Sequence, residues 1–223
     1  MPLVIGITGS IATGKSTACS LISGMGAVHC DADRLVHRLY DPGKPAYFRI
    51  IEIFGDEVVG EDEYIDRKVL GSKVFGQPEE MRKLTDAIGS INDAVKGVVD
   101  EWKATLVKDK VALLEAVNLI EAGYGQWCDQ VWLFACEEPT ARRRMMERNQ
   151  FSDEEARQRL SSQRHWEERA PASDLVIFNE GGLSEFEARV RSEYAKTLEL
   201  WQSGRLPESV YVAWWKSRTD YSS

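Results

Sequence analysis

Four residue types at fixed spacing give the first chemical clue in this chain: Gly9, Gly14, Lys15 and Ser16, within "GITGSIATGKST", complete the pattern G-x-x-x-x-G-K-[ST]. The glycines permit backbone torsions and close approach that a side chain would forbid, so successive N–H groups can turn inward around an anion. Lys15 suits the outer phosphates of a nucleoside triphosphate, and the Ser16 hydroxyl suits magnesium. The loop residues Gly9, Ser10, Ile11, Ala12, Thr13, Gly14, Lys15, Ser16 and Thr17 are therefore read as the triphosphate cradle. Transfer of a phosphoryl group also needs an acceptor and a group to take its proton. Asp31 and Asp33 stand where a second strand should end, the place where ligands of open parallel sheets collect. Each has two readings: magnesium or proton management on one side, a helix cap or a solvated first-turn acid on the other. A third cluster contains arginine alone: Arg142, Arg143, Arg144, Arg148, Arg157, Arg159, Arg164 and Arg169. Its planar donor forks suit phosphate oxygens, and the interleaved glutamates offer the competing account of an exposed, ion-paired helix.

The elements that position these groups follow from hydrophobic pattern. Leu3 to Ile7 is a short apolar run ending in the glycine-bearing loop, and the pattern from Lys15 to Gly24 is helical. A second strand is expected around Ala27 to Cys30, and further strands in "KVALLEA", "DQVWLFA" and "DLVIF". From Pro45 to Lys108 the pattern gives helix after helix, with Pro78 early in the first turn of one. Strands alternating with helices argue for α/β architecture: a five-stranded parallel sheet, helices on both faces and a helical insertion. One domain is expected over residues 1–205, with the insertion at about 60–108 and a mobile helical lid at about 140–170. The stretch 206–223, "PESVYVAWWKSRTDYSS" in its main part, is aromatic without a clear period and reads as a tail or flap.

The 223 residues carry a formal charge of -8, with 43% hydrophobic and 29% charged residues. That composition suits a globular chain, disfavours a broad nucleic-acid footprint and points to small-molecule partners. Apolar stretches fall short of a membrane span, and no leader pattern is visible, so a cytoplasmic protein, monomeric or weakly self-associating, is expected. Cys19, Cys30, Cys128 and Cys136 show no C-x-x-C pair and no paired Cys/His spacing, the pattern of reduced thiols.

Together these segments resemble the dephospho-CoA kinase family. The resemblance runs through "GITGSIATGKST", "DADRLVHRLYDPGKPAY", "IDRKVLGSKVFGQPEEMRKL", "LIEAG", "EPTARRRMMERNQFSDEEARQRL" and "VIFNEGG", over most of residues 3 to 200. It implies a P-loop kinase fold and transfer of the ATP γ-phosphoryl group to the ribose 3'-hydroxyl of dephospho-CoA, with magnesium. On that resemblance Asp33 is the general base, and Lys15 and Arg144 complete the catalytic set. Arg144, Arg148, Asn179 and Gly181 join the ATP site, and Asp31, Asp33, Arg67 and Glu121 the acceptor site. Two departures fall in the acceptor region: Gly89 and Ser90 stand where the family usually has a His-Pro pair, and "AVNLIE" lacks a proline while keeping Glu121. The competing functions are a kinase for another small acceptor and an ATP- or CoA-binding homologue without transfer activity.

Overall fold

The structure, a computed structural model, describes residues 1–218. Five strands form one sheet in the order β2-β3-β1-β4-β5: β1 (Leu3–Gly9), β2 (Val28–Asp31), β3 (Val111–Glu115), β4 (Gln130–Ala135) and β5 (Leu175–Phe178). Every pairing is parallel. β1, β3 and β4 are buried at every position, as expected of central strands covered on both faces. The second strand lies one residue later than its apolar run indicates, because its pairing with β3 carries through to Asp31, opposite Glu115.

Two compact units make up the chain: residues 1–31 with those from 98 onward, and Ala32–Gly97. In the first, Leu3, Ile5 and Ile7 share a core with Ala18, Cys19 and Ile22 of α1 (Lys15–Gly24) and with Phe186, Val190 and Tyr194 of α10 (Leu183–Gln202). The alternate residues of β1 point the other way. At Gly6 an added Cβ would sit 3.0 Å from both Cys128 Sγ and Leu119 Cδ1, so a glycine lets that layer close on the strand. Between β4 and β5 lie α7 (Glu138–Asn149), α8 (Asp153–Ser161) and the short α9 (Trp166–Arg169). α8 opens with a capping box, in which Ser152 and Glu155 satisfy each other's backbone N–H groups.

Residues 210–217, where no period is evident, form α11 (Val210–Ser217). Tyr211 is fully buried, and its hydroxyl donates to the Ile120 carbonyl at 2.7 Å. Asp174 accepts from Val210 N–H at 2.8 Å and from the Ser209 hydroxyl at 2.7 Å, fixing the helix start. The period is hidden because Tyr211, Trp214 and Trp215 cluster on one another, Trp215 stacking on Tyr211 at 5.9 Å.

The second unit holds α2 (Ala32–Arg38), α3 (Pro45–Phe54), α4 (Arg67–Val74) and α5 (Pro78–Ile88), and α6 (Ile91–Thr105) begins within it. Tyr40, Ile50, Phe54, Val58, Leu70 and Val74 are among its core residues. The Asp66 carboxylate caps α4 by accepting from Lys68 and Val69 N–H. Gly89 ends α5 at φ 88° and ψ -164°, a conformation open in practice to glycine alone. Ser90 Oγ accepts from Asp93 N–H at 3.1 Å at the start of α6. The Gly-Ser pair thus has a local task of its own, to stop one helix and start the next. An added Cβ at Gly89 meets nothing within 4 Å, so Gly89→Ala tests backbone strain without steric clash. It should cost about 1–3 kcal/mol, read as a lower urea midpoint at unchanged slope.

Candidate active site

The loop after β1 turns through left-handed backbone at Gly9 (φ 146°), Ala12 (φ 63°) and Gly14 (φ 98°). At Gly9 an added Cβ would fall 2.2 Å from the Phe134 carbonyl oxygen, and at Gly14 2.5 Å from Asn179 Nδ2. The spacing of the motif is therefore enforced by packing as well as by torsion. Ala12 adopts such a torsion without being glycine. Thr13 Oγ1 donates to the Ser10 carbonyl at 2.8 Å. Lys15 is 8% exposed and curls back over the loop, donating from Nζ to the Gly9 and Ser10 carbonyls at 2.7 and 2.8 Å. The N-terminal end of α1 follows at once, so its first-turn N–H groups and the positive end of the helix dipole meet in one place.

Three elements beyond the motif are stitched to this loop. Asn179, just past β5, donates from Nδ2 to the Thr13 carbonyl at 3.1 Å. Its Oδ1 accepts from Arg144 Nη2 at 3.1 Å, and Arg144 Nη1 also donates to the Ala12 carbonyl at 3.4 Å. Gln163 Oε1 accepts from Ile11 N–H at 2.9 Å, tying the segment after α8 to the loop. Ala12, Gly14, Thr17, Arg144, Arg148, Asn179 and Gly181 line one cleft of about 770 Å³. The structure thus brings together Arg144, Arg148, Asn179, Gly181 and the phosphate loop.

The remaining arginines of the cluster divide. Arg142 and Arg157 reach Asp153, Arg143 reaches Glu147 while also lining the cleft, and Arg164 reaches Glu168, the interleaved-acid arrangement. Arg159 lies over the Phe151 ring. Arg169 is 2% exposed and donates from Nε to Glu121 Oε1 at 2.8 Å. Neither Glu121 Oε2 nor Arg169 Nη1 has a hydrogen-bond partner among the described residues. In the other unit, Asp33 occupies the first turn of α2. Arg67, at the start of α4, lines a cavity of about 310 Å³ with His37, Tyr40, Asp41, Asp62, Tyr64 and Ile65. Burial pushes the Tyr40 hydroxyl up, with Arg67 opposing and Asp41 adding to the shift.

A residue that the sequence pattern does not single out closes β3 beside the phosphate loop. Glu115 is 5% exposed at the end of β3. Ser16 Oγ donates to its Oε1 at 3.1 Å, and His29 Nε2 lies 3.0 Å from its Oε2. Burial alone raises the Glu115 carboxyl, but hydrogen bonds from His29, Ser16 and Cys19 outweigh it and hold the pKa below the ordinary value. The available signal was a lone acid closing an otherwise apolar strand, "VALLE".

A depressed folded pKa stabilises above the unfolded value and loses that contribution as pH falls through the folded one. The stability gap between the native protein and Glu115→Gln should therefore be full at neutral pH and shrink as pH falls below about 4, the ordinary carboxylate value, toward the lower folded one. Urea midpoints measured across that range check it, and a gap constant with pH would remove the charged carboxylate as its source.

The comparisons with known proteins agree with this geometry. The family model described as dephospho-CoA kinase matches residues 3–185. A dephospho-CoA kinase of Geobacter sulfurreducens is 38% identical over 195 residues, covering 86% of this chain and 98% of the relative. One from Bacillus cereus is 36% identical over 187 residues, with 83% and 92% covered. Among solved structures, TT1252 from Thermus thermophilus superposes with a TM-score of 0.69 at 27% identity, over 87% of this chain and 97% of that one. A dephospho-CoA kinase from Campylobacter jejuni gives a TM-score of 0.67 at 24% identity, covering 89% and 98%, and supports the fold. A phosphate loop of this build, matched across nearly the full length of such relatives, means that the chain belongs to the dephospho-CoA kinase family.

Proposed function

We propose that this chain transfers the γ-phosphoryl group of ATP to the ribose 3'-hydroxyl of dephospho-CoA, giving coenzyme A and ADP. The observation that carries the reading is the family match over residues 3–185, which contains the whole phosphate loop. Neither alternative is favoured, another acceptor or binding without transfer, since the curated relatives cited share one name.

In the reaction the acceptor oxygen forms a bond to the γ-phosphorus while the bond from that phosphorus to the β,γ-bridging oxygen breaks, and ADP leaves. Asp33 takes the proton of the attacking hydroxyl, which raises the electron density on the oxygen as the bond forms. Lys15 releases the Gly9 and Ser10 carbonyls and offers its charge to the outer phosphates. Loop N–H groups hold the oxygens in place, and fixed donors of this kind act where charge develops. Arg144 and Arg148 face the same anion from α7. The adenine lies along the loop after β5, beside Asn179 and Gly181. Asp31, Arg67 and Glu121 serve the acceptor on the resemblance, Glu121 being held by Arg169 through Oε1.

Magnesium fits the donors present. Ser16 Oγ and Glu115 Oε1 are hard oxygen ligands 3.1 Å apart, and this ion commonly binds through one or two protein oxygens plus phosphates and waters. When bound, it neutralises charge on the phosphate oxygens. The segment 140–170 acts as the lid, with Gln163 exchanging its hold on Ile11 N–H for closure over the nucleotide.

Dephospho-CoA-dependent ADP release, with a product heavier by one phosphoryl group, tests the reaction. Asp33→Asn should lower kcat by about 10²–10⁴ while leaving ATP affinity within about twofold. Strong residual turnover in that variant removes Asp33 from the base role. Hydrogen exchange over residues 140–170 should slow when a non-hydrolysable ATP analogue binds, and unchanged exchange there argues against a lid.

A further inference from the structure

Three ligand atoms of mixed type converge beside the phosphate loop without sharing a sequence motif. Cys19 Sγ from α1, His29 nitrogen from β2 and a Glu115 carboxylate oxygen from β3 all lie within 4.8 Å of one another. The elements are locked by the sheet: β2 pairs with β3 in register, His29 opposite Leu113, and Cys19 belongs to the core under β1. Cys19 and Glu115 are buried, while the His29 side chain is 29% exposed and opens the cluster to solvent.

We infer that Cys19, His29 and Glu115 form an inhibitory site for a borderline-soft divalent cation of the Zn²⁺ or Co²⁺ type. Sulfur, imidazole and carboxylate are the ligand set of zinc rather than of magnesium, with Zn–S about 2.3 Å and Zn–N about 2.0–2.1 Å in tetrahedral geometry. Ligand atoms around such an ion stand somewhat closer together than 4.8 Å, so modest side-chain rotations complete the site. Binding forms a metal–sulfur bond and breaks the Cys19 S–H bond, with the proton released to solvent. His29 ligates as the neutral ring, water fills the fourth position, and no oxidation occurs. Burial, with the Glu115 charge adding to it, keeps the Cys19 thiol protonated well above its ordinary range, so the ion must displace that proton.

The consequence follows from the shared carboxylate. Glu115 faces Ser16 through Oε1 and His29 through Oε2. A cation on the His29 side takes up the charge of that carboxylate and repels a second dication on the Ser16 side. Zinc then competes with magnesium. This last step rests on the magnesium reading above, whereas the site itself does not.

Co²⁺ added to the whole, reduced protein separates the two. An absorption band from sulfur to cobalt in the near ultraviolet, together with visible bands of a tetrahedral ion, is expected at one cobalt per chain. Cys19→Ser should abolish the sulfur band, and Cys30→Ser should keep it. Absence of the band, or its loss in Cys30→Ser with retention in Cys19→Ser, overturns the site. Circular dichroism of both variants establishes that they are folded. In the kinase assay, the Zn²⁺ concentration for half inhibition should rise at least tenfold in Cys19→Ser and increase with free Mg²⁺. Inhibition equal in the variant and the native protein overturns the inhibitory role, even with the cobalt band present.

Discussion

The backbone of the phosphate loop turns where a side chain has no room. With an added Cβ 2.2 Å from a carbonyl oxygen at Gly9 and 2.5 Å from an amide nitrogen at Gly14, the loop can close only because both positions lack one. Closure sets the direction of α1, and α1 in turn places Ser16 against the end of β3. It also brings Thr13 and Ala12 carbonyls to the surface that Asn179 and Arg144 grip. The carboxyl ends of β1, β3, β4 and β5 thus lie along one edge of the sheet, where ligands of open parallel sheets collect.

Much of this was legible in the sequence because local pattern and global fold agree. The loop, the five strands and the closing helix each have a strong periodic or compositional mark. The resemblance also named Arg144, Arg148, Asn179 and Gly181, and these do line one cleft with the loop. What stayed hidden depends on pairing between distant residues. Glu115 is one acid at a strand end, and its importance appears only when the sheet sets it beside Ser16 and His29. Gln163 carries no pattern, yet it meets Ile11 across a separation of 152 residues. The arginine cluster shows the opposite effect: eight similar side chains suggest one role, and the fold distributes them among ion pairs, a ring contact, a buried pair and the cleft.

α11 illustrates a different reason for illegibility. Its helix is eight residues long and rich in aromatics, so intrinsic preference and periodicity say little. Its stability comes from the niche that receives it. Tyr211 fits against Gly125, where an added Cβ would lie 2.6 Å from the ring, and its hydroxyl closes on the Ile120 carbonyl. Asp174 joins the same arrangement to β4 by accepting from Val131 N–H at 2.6 Å. A helix formed by tertiary contact in this way is read from its receptor surface, not from its own residues.

The hold of Gln163 on Ile11 and of Lys15 on the Gly9 and Ser10 carbonyls has a thermodynamic consequence. A triphosphate arriving at this loop exchanges existing partners for new ones, so its affinity is a difference between two well-bonded states. Net gains from such exchanges are far smaller than the gross strength of the bonds involved. A diphosphate has one charged group fewer than a triphosphate with which to outbid these internal contacts, so the exchange is less favourable for it. The polar groups that fasten the loop are thus the same ones that an arriving triphosphate has to displace.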